Sequence, residues 1–66
     1  MQVTINGQPR ELASGATAAD VIELLGLRGK RLAMEINEEI LPRSRYPEHT
    51  LREGDTVEIV HAIGGG

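Results

Sequence analysis

The segment Thr56-Val57-Glu58-Ile59-Val60-His61-Ala62-Ile63 runs with no polar linker into Gly64-Gly65-Gly66, the last of the 66 residues. Val57 and Ile59 fall on one side of an extended chain, Glu58 and Val60 on the other. Alternation with many β-branched residues predicts a half-buried strand. The opposite end of the chain matches it: Met1, Val3 and Ile5 alternate with Gln2 and Thr4. How these two apolar strands share a core decides the fold.

The intervening elements narrow the choice. Asn6-Gly7 is a hairpin signal, because a type I′ turn needs positive φ at both central residues. The return strand is expected over Gln8 to Ala13, at a sheet edge, since Pro9 cannot donate to a ladder. Ser14-Gly15 is a loop, and Thr17 with Asp20 forms a variant capping box for a helix. Ala18, Val21, Ile22 and Leu25 fall at i, i+3, i+4 and i+7, an apolar stripe that Leu24 is expected to widen. Gly26 suits a left-handed C-cap, with Leu27 folding back over the last turn. Arg28-Gly29-Lys30-Arg31 is an exposed polar loop; a basic cluster can bind an anion, but its default role is solvated surface.

A third strand is expected over Leu32 to Asn37, with Leu32, Met34 and Ile36 on one face. Asn37-Glu38 turns the chain, and a short fourth strand runs from Glu39 until Pro42 stops it. Arg43 to Leu51 reads as irregular, with a 3-10 turn near Tyr46-Pro47-Glu48. Glu53-Gly54-Asp55 is a tight turn before the last strand.

A single helix must cover a mixed sheet, because its stripe has nowhere else to go. Placing the last strand parallel to the first, at the middle, lets both apolar strands meet that helix. The expected fold is therefore α+β, a β-grasp with a mixed sheet of four to five strands on one main helix. Residues 1–63 form the body and residues 64–66 a glycine tail. Val60 and Ala62 then lie on the face away from the helix, which with Glu58 and Ile63 makes a candidate partner surface.

Composition excludes several function classes. The chain has no cysteine, so it offers no disulfide, thiolate nucleophile or cysteine-ligated metal. No segment is apolar over a length that crosses a membrane, and the N-terminus lacks a signal-peptide pattern, so the expectation is a cytoplasmic protein. The net charge of −3 is uneven: residues 1–33 carry four basic and three acidic side chains, residues 34–66 three basic and seven acidic ones. Tyr46 is the lone aromatic. That balance argues against nucleic acid and suits steering toward a basic docking face. His49 and His61 stand apart with no metal spacing, and Ser14 and Ser44 have no nucleophile context. Glu38 and Glu39 adjoin at a turn where both meet water, unlike a catalytic pair, which needs unequal environments. The body thus offers neither a metal site nor a catalytic constellation.

The tail remains. Gly64 to Gly66 extended reach roughly 10 Å, carry no side chain and end in an α-carboxylate that is ionised at neutral pH. Such a thread is either a frayed terminus or a part shaped for insertion into another protein's active site. If this protein takes part in a reaction, its own C-terminus is the reacting group. The tail is expected to be mobile in isolation.

The terminal Gly65-Gly66, the run Ile36-Asn37-Glu38-Glu39-Ile40-Leu41-Pro42-Arg43, the run from Leu51 to Val60 and the Ile5-Asn6-Gly7 hairpin carry a resemblance. It extends over the whole chain and is to the ubiquitin-like sulfur carriers of the ThiS family, which serve thiazole formation in thiamin synthesis. The Asn-x-x-Ile-Leu-Pro-Arg run is what points to this family among the ubiquitin-like carriers. The small subunit of molybdopterin synthase carries aromatic residues before its glycines, where this chain has Ala62-Ile63. The resemblance implies the ubiquitin-like β-grasp and a carrier that is a co-substrate of other enzymes and binds no cofactor itself. It implies an E1-like adenylating enzyme of the ThiF type that uses ATP and Mg²⁺ to activate the Gly66 carboxylate. Sulfur drawn from cysteine by a desulfurase then gives a Gly66 thiocarboxylate, and a thiazole synthase of the ThiG type receives that sulfur. Gly66 carries over as the modified residue, Gly65 as its required neighbour and Gly64 as one further residue of thread. The competing readings are a molybdopterin-synthase-like carrier, a ubiquitin-like protein modifier joined to lysines through Gly66, and a non-catalytic β-grasp interaction module.

Overall fold

Residues 1–61 are described by the computed structural model, residue 61 by its backbone alone. In chain order the elements are β1 (Gln2–Ile5), β2 (Gln8–Glu11), α1 (Ala18–Leu24), β3 (Leu32–Ile36), β4 (Glu39–Leu41), a 3-10 helix (Arg43–Glu48) and β5 (Thr56–His61). The five strands form one mixed sheet in the order β2-β1-β5-β3-β4. β5 runs parallel to β1, with Ile5 beside Val57, and antiparallel to β3, with Leu32 beside His61. The expected ubiquitin-like β-grasp is the fold observed. The boundary expected at residues 63 and 64 lies outside the described residues.

The local chemistry explains the elements. Asn6 and Gly7 have φ of 50° and 81°, the pair of positive values that lets a two-residue turn join β1 to β2. Asn37 and Glu38, at 53° and 70°, make the same turn between β3 and β4 with no glycine in it. Thr17 and Asp20 close the capping box: the Asp20 N–H donates to Thr17 Oγ1 at 3.2 Å and the Thr17 N–H to Asp20 Oδ2 at 2.9 Å. Gly26 takes φ 69°, and the Gly26 and Leu27 N–H groups donate to Glu23 and Ile22 carbonyls, a Schellman ending over which half-buried Leu27 packs.

Val3, Ile5, Met34, Ile36, Val57 and Ile59 are buried from the sheet, Ala18 and Val21 from α1. Each large aliphatic side chain so buried contributes about 1.5–3 kcal/mol of transfer free energy. Leu24 departs from expectation: it is 53% exposed. At about 100° per residue it sits some 110° from the centre of the Ala18–Val21–Ile22–Leu25 stripe, too far round to reach the sheet. The return strand stops at Glu11, because the chain turns away after Leu12, whose N–H and carbonyl still bond to Met1. The 3-10 helix is longer than the expected turn and buries Tyr46, which with Leu51 closes the far side of the core.

Candidate functional site

The site is built on the last strand, so its anchoring comes first. Asn6 Oδ1 accepts from the Ile59 N–H at 2.8 Å, and Asn37 Oδ1 from the Thr56 N–H at 3.0 Å. Asn37 Nδ2 also donates to Asp55 Oδ1 at 3.0 Å, while Asp55 Oδ2 accepts from the Arg52 N–H at 2.8 Å. Asp55 is buried with both oxygens bonded, and so is not one of the solvated acids of the C-terminal half. The two hairpin asparagines therefore do more than turn the chain: from opposite sides they clamp the strand that leads to the tail. Sequence reading found their turns and missed these bonds, whose partners lie 53 and 19 residues away.

Glu58 and Val60 lie on the open face of β5, both exposed, Val60 by 71%. Register brings Glu35 beside Glu58 and Ala33 beside Val60 on β3, and Ile40 beside Glu35 on β4. Ile40 is 72% exposed. The open face thus carries two large apolar side chains with a pair of carboxylates between them. Like charges directly opposite each other destabilise a sheet, and none of the ion pairs among the described residues neutralises Glu35 or Glu58. Ile40 was missed in the sequence; its alternation with Glu39 and Leu41 was the available signal. Ala62, Ile63, Gly64, Gly65 and Gly66, the other expected site residues, lie outside the described residues, as does the expected mobility of the tail.

Elsewhere the chemistry is structural. An open depression of about 850 Å³ brings Glu39, Glu48, His49 and Arg52 near Asp55, yet no group of three or more His, Asp or Glu able to hold a metal occurs among the described residues. Burial pushes the Tyr46 phenol up from its ordinary value, against smaller opposing effects of the Arg43 guanidinium and a hydrogen bond with the Met34 backbone. No helix among the described residues is long and apolar enough to cross a membrane.

A clamped central strand, an open face beside it and a glycine run beyond it invite comparison with known proteins. The family model described as the ThiS family matches residues 3–66. The chain belongs to the ThiS family. It is similar over its full length, and that of the relative, to the sulfur carrier protein ThiS of Escherichia coli strain K12, at 33% identity over 66 residues. It is 38% identical over 66 residues to a thiazole synthase of Paramagnetospirillum magneticum. The chain spans a fifth of the length of the two thiazole synthases it matches, so in those proteins a ThiS-like region is one part of a longer polypeptide. The crystal structure of the thiamine biosynthesis protein ThiS of Geobacter metallireducens superposes with a TM-score of 0.83 at 29% identity, covering all of both chains.

Proposed function

We propose that this ThiS-family chain carries sulfur for thiazole formation in thiamin biosynthesis, as a thiocarboxylate built on Gly66. The observation that carries the reading is the family match through residue 66, joined to full-length similarity to a protein named as a sulfur carrier. The chemistry follows from the carboxylate. Its oxygen is a poor leaving group, so attack on the acyl carbon needs prior activation. An E1-like partner of the ThiF type, using ATP and Mg²⁺, joins the Gly66 oxygen to the α-phosphorus and releases pyrophosphate. Sulfur supplied through a cysteine desulfurase then displaces AMP, and thiazole synthase takes the sulfur. These reactions take place in the partners, in the cytoplasm. The chain contributes the carboxylate, the side-chain-free thread of Gly64 and Gly65, and a docking surface at Glu58, Val60, Ala62 and Ile63, to which Ile40 is added here.

The test is reconstituted thiazole formation with three versions of the chain. The full chain supports it; the chain without Gly65-Gly66, and the chain extended by one residue past Gly66, do not. Thiazole formation by the shortened chain contradicts the reading. Transfer of the chain onto target lysines, visible as a ladder on denaturing gels, would make it a protein modifier instead.

A further inference from the structure

The basic segment Arg28-Gly29-Lys30-Arg31 does no evident work inside the fold, and the sheet register places it beside the end of β5. Leu32 pairs with His61. Lys30 and Arg31 therefore immediately precede the rung from which residues 62–66 continue. Arg28 and Lys30 are tied to the helix layer, through Glu23 of α1 and through Arg43 of the 3-10 helix packed on α1, whereas Glu35, Glu58, Ile40 and Val60 lie on the opposite face. Arg28, Lys30 and Arg31 are all exposed. Arg43 reaches over from the 3-10 helix and donates through Nη2 to the Lys30 carbonyl, which pins the segment and adds a fourth cation to it. The ion pair formed there among the described residues, Arg28 with Glu23 at 3.4 Å, joins side chains 84% and 58% exposed and is weak. In a chain of net charge −3 this is a local reversal of sign.

We propose that this basic rim docks against an acidic patch beside the tail-accepting cleft of a thiazole synthase, and that rim and open face together fix how the carrier is rotated about its tail. The proposal rests on the carrier reading and adds to it the orientation of the complex. Residues 62–66 span at most about 17 Å. A partner that encloses the terminal carboxylate thus brings its surface to within about 17 Å of the rim, under two Debye lengths at about 0.1 M salt, and closer the more of the thread it takes in. A glycine thread sets where the carboxylate goes but leaves rotation about the thread free. Cations on one side of the exit and carboxylates on the other supply the missing constraint, because only one rotation matches both signs. The occupant is a protein surface and not a free phosphate, since all three loop cations are solvent-exposed. Thiazole synthase is the partner chosen because a region similar to the whole chain is one part of two polypeptides of that name.

The test is the double variant K30E/R31E in the full chain, with binding to thiazole synthase measured between about 50 mM and about 500 mM NaCl, a range over which the Debye length falls severalfold. Both side chains are exposed, so thermal unfolding of the variant should match wild type. Wild-type affinity is expected to fall with salt; the variant should bind about tenfold more slowly at the lowest salt and show a flatter salt dependence. Equal binding of variant and wild type at every salt, or no binding by wild type, overturns the proposal. Sulfur loading of both proteins, followed by intact mass, separates the two readings. Failure to load wild type sinks the carrier reading, whereas normal loading with unchanged synthase binding sinks only the rim.

Discussion

The two faces of the sheet use the same five strands and the same alternation, yet they answer to different demands. On the helix side, Met34 and Val57 sit at 0% exposure beneath α1. On the open side, their neighbours Glu35 and Glu58 lie directly opposite each other, flanked by Ile40 and Val60 at 72% and 71% exposure. The first face follows every rule of stability. The second places like charges side by side and leaves large apolar groups in water, an arrangement that folding does not require. Local departures from stability rules are expected where a protein meets its partners. β5 belongs to both faces, so the strand that packs Val57 and Ile59 into the core also presents Glu58 and Val60 on the open face.

Substitutions that ought to separate the faces test this contrast. The largest effect belongs to the helix side: Met34→Ala should lower unfolding free energy by about 2–5 kcal/mol in urea titration. In a chain this small that removes much of the total stability, and a loss under 1 kcal/mol would break the contrast. Next comes the turn that sets which β4 side chains face out. Glu38→Gly, at φ 70°, should raise stability by about 1 kcal/mol by removing a left-handed side-chain clash, measured by thermal melting. The same change should leave partner binding intact.

On the open side, Ile40→Thr and Val60→Thr keep β-branching while removing apolar surface. Stability should move by no more than about 0.5 kcal/mol, yet the rate of Gly66 loading by the activating enzyme should drop severalfold. A destabilisation with unchanged loading would assign these residues to the fold. The smallest effect is titration of Tyr46, whose phenol is raised from 10.0 by burial. The unfolded chain loses this proton first, so the stabilisation is intact below about pH 10 and fades as pH rises through the folded value. Tyr46→Phe should flatten that part of the stability curve.

Elements set by contiguous residues were legible in the sequence. Asn6-Gly7 and Asn37-Glu38 announced the hairpins, Thr17 and Asp20 the helix start, and Gly26 its end, because each is a bargain between neighbours along the chain. The central place of β5 was legible from its apolar alternation and the single available helix. What depends on long-range register was not. Ile40 joins Glu35 and Glu58 only once β3 has paired with both β4 and β5. The basic segment lies beside the end of β5 only because Leu32 meets His61. Tyr46 and Leu51 come from a stretch without periodicity, which gives no signal of the face it buries. Within the candidate site, Glu58 and Val60 were found by alternation alone, while the clamping roles of Asn6 and Asn37 needed coordinates.

The claim on which all of this turns is that Gly66 becomes the sulfur-bearing group. The most direct measurement is the intact mass of the 66-residue chain after incubation with the activating enzyme, ATP, Mg²⁺ and a cysteine desulfurase with cysteine, followed by fragmentation of the C-terminal peptide. The account predicts a single exchange of oxygen for sulfur, confined to Gly66 and absent without ATP. An unchanged mass under conditions that load an established ThiS protein, or sulfur found on any other residue, would contradict it.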